Sequence, residues 1–355
     1  MNKHDLWAKS YYNPFDSKRL IKFMREIEKD AADKGLDVLD PKIIDESSKE
    51  QNYLFNMLLD VILNAARPSH ELLSDLNIRL LLRDRDDFNA NIELETADKN
   101  KYILFVDNLM TSTIHELTTC MLYWSIVKDD DEEWTSCFRY MVFVISEYGI
   151  KRIRPAHSTW AHKFVRKMIA YSENTAHLFS DVYIVIIEFI LAHEIGHLIL
   201  GHHDSSNRTL EDEFAADDFA YKLILDLIVE QAEYIATNNK RPTLDMHNEY
   251  IYLAPLMFFD IMELIDYFRC KVFKDTKFTS ATQDLSKRKE RLESWVFRIQ
   301  DYYNFHSSVG NDVYRVFLNM KDAFIENVDI KSRLGKTLIS DVPSIAHAAL
   351  VDDKD

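Results

Sequence analysis

The stretch Asp181-Val-Tyr-Ile-Val-Ile-Ile-Glu188-Phe-Ile-Leu-Ala-His193-Glu194-Ile-Gly-His197-Leu-Ile-Leu-Gly201 decides how this chain is read. Val182 to Leu200 is its most apolar run, interrupted by Glu188, His193, Glu194 and His197. Four such groups would be costly inside a bilayer, so the run is expected to be a buried core helix rather than a membrane span. Leu191, Ile195 and Leu198 line a face away from the histidines. Ser180 or Asp181 is placed to cap the start, and Gly201 to take the left-handed stop.

Inside this helix lies His193-Glu194-Ile-Gly-His197, an H-E-x-x-H pattern. Histidines four apart stand one above the other on one helical face, where both imidazoles can reach a single Zn²⁺ at about 2.0–2.1 Å. Glu194, three residues before His197, flanks the metal side, placed to take a proton from a water there and pass it to a leaving amine. That is the part of the general base in a metallopeptidase. A chance H-E-x-x-H in a chain of this histidine content arises with a probability of roughly a few per cent, so the neighbouring residues must carry weight too. The bland alternative is a helix with two core histidines satisfied by hydrogen bonds.

The next segment is Leu210-Glu211-Asp212-Glu213-Phe-Ala215-Ala216-Asp217-Asp218-Phe-Ala220, which opens a helix that Thr209 can cap. Glu213 and Asp217 share a face, and Ala215 and Ala216 leave room for a second helix to approach the first. Two His and one carboxylate would make a catalytic zinc site with its fourth position open to water. Asp217, one turn on, could accept the outer ring N–H of a ligand histidine. Glu211, Asp212 and Asp218 point off the Glu213 face and read as solvated charges favoured in a first helical turn. Glu188, nine residues before His197, lies off the metal face.

H-E-x-x-H followed by E-x-x-A-D resembles the gluzincin metallopeptidases, and the short separation of His197 from Glu213 with the E-F-A-A-D-D-F-A string is more similar to the membrane proteases typified by HtpX and to the Lit-like phage-exclusion peptidases than to thermolysin. The expectation of no membrane span leaves the Lit-like peptidases as the closer likeness. The likeness covers about 30 of 355 residues. It implies that His193, His197 and Glu213 are zinc ligands, Glu194 the base and Asp217 the acid that orients a ligand. It also implies a protein or peptide substrate, restraint released by an activating peptide or protein, and a role in phage defence. His203 stands at the metzincin distance from His197, but that pattern has glycine where Leu200 stands here. His202 and His203 read instead as cations at a helix C-terminus or as a solvated loop. Gluzincins hold substrate as an added strand on a sheet edge, which Lys101 to Asp107 or Asn91 to Thr96 would supply. Candidate oxyanion donors are His247, Tyr250, Tyr252 and His306, each equally readable as a surface or packing residue.

Outward from this core, 355 residues leave room for about two domains at roughly 150 residues each. Residues of the AVILMFWYC set make up 47%, and Gly 6 and Pro 7 are scarce, which favours helices. Tyr53 to Ala66 reads as a buried helix stopped at Arg67-Pro68. Asn77 to Arg83, Asn91 to Thr96 and Lys101 to Asp107 read as a small antiparallel sheet. Helical spacing returns at Thr111 to Lys128, Trp134 to Tyr148 and Ser158 to Ser172, and again at Ile251 to Phe268, Leu285 to Tyr303 and Asp312 to Val328. Phe258, Phe259, Phe268 and Trp295 fall at core positions. The expected fold is mainly α (α+β), with an N-terminal helical region over 1–75, a zincin-like core over 76–237 and a C-terminal helical region over 238–355.

The net charge of −16 repels phosphate backbones and anionic lipid, which argues against nucleic-acid and membrane partners. Three cysteines without C-x-x-C spacing suit reduced thiols. The first residues carry no apolar export signal, so a cytoplasmic location is expected. The residues thus point to a zinc-dependent endopeptidase. Its rivals are a regulatory or binding protein with a non-catalytic zinc site, and a helical adaptor whose motif is accidental.

Overall fold

The structure, a computed structural model, describes residues 41–83, 90–95, 100–127, 137, 140–141, 144–145, 173–202, 208–239, 251–272, 279–303, 314–315 and 317–326. It is mainly helical with a small sheet, and it divides into two compact units that are each discontinuous in sequence: Met1–Asn108 with Tyr171–Thr243, and Leu109–Ala170 with Leu244–Asp355.

The first unit opens with helix α1 (Pro41–Ala66). Phe55, Leu58, Leu59, Ile62, Leu63 and Ala66 are buried at helical spacing, which gives it one apolar stripe. It begins twelve residues before Tyr53 and stops where expected, giving way at Arg67–Ser69 to a 3-10 turn carrying Pro68. Strands β1 (Asn77–Arg83), β2 (Ala90–Leu94) and β3 (Lys101–Asp107) follow.

The sheet order is β1-β3-β2, with β2 antiparallel and β1 parallel to β3. The expectation of an all-antiparallel sheet is therefore corrected in one of its two ladders. The reason lies in burial. In β3 Tyr102, Leu104, Phe105, Val106 and Asp107 are all buried, so both faces are covered toward its end and it takes the centre. β2 alternates and ends exposed, with Asn91 bonded to Glu93 along its surface, as an edge strand does. β1 fills the other side, where Arg79 pairs with Glu95 at 3.1 Å.

Helices α3 (Glu173–Ile199) and α4 (Leu210–Asn239) complete the unit. Among the described elements they pack on each other most extensively, and α3 also meets α1 and β2. From Val182 to Leu198 every residue of α3 is buried, so it is apolar on all sides and central to its unit. The window Asp181–Ile199 is long and apolar enough to cross a membrane by length and composition, yet 94% of it is covered by the protein itself. α3 starts at Glu173, two turns earlier than expected, so Asp181 lies within the helix rather than at its cap.

The second unit contains α2 (Asn108–Val127, from Leu109 on), α5 (Ala254–Val272), α6 (Thr279–Tyr303) and helical turns at 317–326. α5 and α6 pack together. Wholly buried Asp260 accepts hydrogen bonds from Lys289 Nζ at 2.7 Å, Tyr314 Oη at 2.8 Å and Lys321 Nζ, while Lys321 also meets Glu263 at 3.1 Å. Burial, then the Asp260 charge, pushes the Tyr314 phenol far above its usual range. Phe259 is core as expected, whereas Trp295 is 36% exposed with Arg298 over its ring. Trp134 to Tyr148 is described only at Cys137, Tyr140, Met141, Val144 and Ile145, all buried, and Ser158 to Ser172 lies outside the described residues.

Candidate metal centre

Three of the donors come from α3. His193 and Glu194 are nearly inaccessible and His197 wholly so, because the helix that carries them is sheathed on every side. Its end is set by Gly201, whose φ of 75° is the left-handed stop expected from the sequence. The fourth comes from the first turn of α4. There Asp212 accepts from the backbone N–H of Thr209 at 2.8 Å and from its hydroxyl at 2.9 Å, and the Thr209 hydroxyl receives the Asp212 N–H at 3.3 Å. This reciprocal cap fixes the register in which α4 starts, and hence where Glu213 points.

What lets the two helices close up is Gly196. A methyl group there would stand 3.0 Å from the Phe219 ring and 3.3 Å from the Ala216 backbone. The glycine inside H-E-x-x-H thus faces Ala216 across the helix contact, and the approach brings Glu213 to the histidines. Its carboxylate oxygens lie 3.3 Å from His193 Nε2 and 3.4 Å from His197 Nε2. Two donors bound to one tetrahedral ion at about 2.0–2.1 Å stand about 3.3–3.4 Å apart, so these spacings fit a shared cation. The two Nε2 atoms are closer, at 2.9 Å, the separation of a hydrogen bond between rings. Donor atoms of His193, Glu194 and His197 all lie within 4.8 Å of one another and could hold a metal ion.

Behind the donors stand further groups. Asp217, buried, is 2.9 Å from His193 Nδ1. The contact is close without being collinear with a ring N–H, so it favours a proton on Nδ1 by charge attraction more than by an ideal hydrogen bond. His197 Nδ1 faces His202 Nδ1 at 3.3 Å, and His202 Nε2 lies 3.3 Å from Asp212 Oδ1. Burial lowers the His197 pKa to about 4, with Glu213 opposing and His193 and Arg208 adding to the shift. The ring is therefore neutral at pH 7 and its lone pair is available. Hydrogen bonds from the Thr209 backbone and hydroxyl hold Asp212 below the usual carboxylate range.

Arg208, which the sequence reading passed over, places its guanidinium 3.7 Å from Glu194. Only its place just before a capped helix start hinted at the site. Asp212 and His202, read as solvated, are instead tied into it. Wholly buried Glu188 is not among the donors, and Tyr252 lies in the core of the second unit. His203, His247, Tyr250 and His306 fall outside the described residues.

Comparison with known proteins bears on this site directly. Residues 129–263 match the family model described as Peptidase U49. The matched span holds His193, Glu194, His197, Glu213 and Asp217 together, so the likeness to a peptidase falls on the donor cluster itself. No curated protein and no solved structure matches the chain.

Proposed function

We propose that the chain is a zinc-dependent endopeptidase, hydrolysing a peptide bond in a protein substrate, with His193, His197 and Glu213 as ligands. The observation that carries this reading is the convergence of Glu213 on both Nε2 atoms with Glu194 alongside, within a span similar to a peptidase family. Zinc held by His193, His197 and Glu213 would supply Lewis-acid polarisation and a water of lowered pKa. Glu194 would act as the base, taking a proton from the attacking water and handing it to the departing amine. Asp217, beside His193 Nδ1, would favour the tautomer that turns the Nε2 lone pair to the metal. Arg208, 3.7 Å from Glu194, would set the position of that carboxylate.

Among the described residues β2 has β3 on one side only, and it lies against α3. An extended peptide added along β2 would run beside the helix that bears the histidines. β3, the other edge considered from sequence, is the central strand and has no free edge. Location in the cytoplasm, an activating peptide or protein, and a defence role complete the reading; the first is supported by the cysteine pattern and the other two by the Lit-like resemblance.

A non-catalytic zinc site would need the ligands and no base. Glu194→Gln decides between the two: zinc content is expected to stay, while cleavage falls by about 10²–10⁴-fold, read as loss of new protein termini on expression against wild type. Equal cleavage by the variant would refute the catalytic role.

A further inference from the structure

His202 was readable as a solvated cation at a helix end, yet it stands between His197 and Asp212, with a ring nitrogen 3.3 Å from each. The polarity along this line follows from the zinc reading. A His197 that gives its Nε2 lone pair to a metal carries its proton on Nδ1, the nitrogen that faces His202 Nδ1. His202 Nδ1 then accepts, which puts the His202 proton on Nε2, beside the Asp212 carboxylate. The other oxygen of Asp212 is held by Thr209, so the line is anchored in the cap of α4.

We propose that His202 is a positioning residue for His197, fixing its tautomer and ring orientation through the line from Asp212, as Asp217 does for His193. His202 is not a ligand in this arrangement, because it approaches the rear nitrogen of His197. The proposal rests on the zinc reading above. Each histidine of the motif then has its own anionic support on α4, one direct and one through a second ring.

Two measurements on the full-length protein test this. Nitrogen NMR of the zinc-loaded wild-type protein should find His197 protonated on Nδ1 and His202 on Nε2; a His202 protonated on Nδ1 would overturn the proposal with no variant needed. Zinc titrated against a chromophoric chelator should bind His202→Ala about 10–100-fold more weakly than wild type, with His202→Asn, whose carbonyl replaces the Nδ1 acceptor, recovering most of the loss. Circular dichroism of each variant separates weaker binding from misfolding. Affinity of His202→Ala within about two-fold of wild type, while His197→Ala abolishes binding, would sink the positioning role and leave the metal centre standing. A wild-type chain that binds no zinc would sink the metal centre and the positioning role with it.

Discussion

Two buried polar clusters in this molecule are built on opposite plans. Around Asp260 and Glu263 two anions are met by two cations, Lys289 and Lys321, and Asp260 also by the Tyr314 hydroxyl, so the charges cancel within the protein. Around His193 and His197 the converging atoms are lone-pair donors, two imidazole nitrogens and the oxygens of Glu213, at spacings that suit an ion between them. The first arrangement is complete in itself and serves structure. The second concentrates electron-pair donors in a buried place, which is costly unless a cation joins them. This contrast separates a closed ion network from a cluster of donors that could hold a cation.

Removing one partner from a closed network should be far more damaging than opening the donor cluster. Asp260→Ala leaves Lys289 and Lys321 without their shared counter-charge and is expected to cost about 3–5 kcal/mol in urea unfolding. A loss below about 1 kcal/mol would mean the cluster is not the closed network described here. Gly196→Ala tests the other side, since the methyl group meets Phe219 at 3.0 Å and the Ala216 backbone at 3.3 Å. About 1–3 kcal/mol of destabilisation is expected, together with weaker zinc binding as α4 carries Glu213 away. Unchanged affinity would show that Glu213 does not depend on that close approach.

A smaller effect follows from pH. His197 titrates near 4 in the folded chain, against an ordinary value of 6.5. Between those values the unfolded chain binds the proton and the folded chain does not, so stability of the metal-free protein rises with pH across the window and falls as pH drops from 6.5 towards 4. Thermal midpoints measured across the window should show this slope, and His197→Gln should flatten it. A variant with the same slope would assign the effect to other groups.

The histidines, Glu194, Glu213 and Asp217 were all legible as candidates because helical spacing dictates which residues share a face, and the structure gathers the donors as that spacing suggested. The strands were also legible, two of the three to the residue, since the change from helical to alternating period marks them. Their pairing was not. Consecutive strands invite a meander, and only the burial of β3 on both faces places it between the others. Gly196 was hidden inside the motif because a small residue declares its purpose only when the helix opposite it is known. His202, Arg208 and Asp212 were hidden for a related reason: each acts across the turn from α3 to α4, and no periodicity links residues on two helices.

The measurement that bears most directly on this account is elemental analysis of the full-length protein purified without added metal, beside His193→Ala and His197→Ala. One zinc per chain in the wild type, lost in both variants while their helical circular dichroism persists, is the predicted result. A folded wild type without stoichiometric metal, or histidine variants that keep it, would contradict the claim that these side chains form a metal centre.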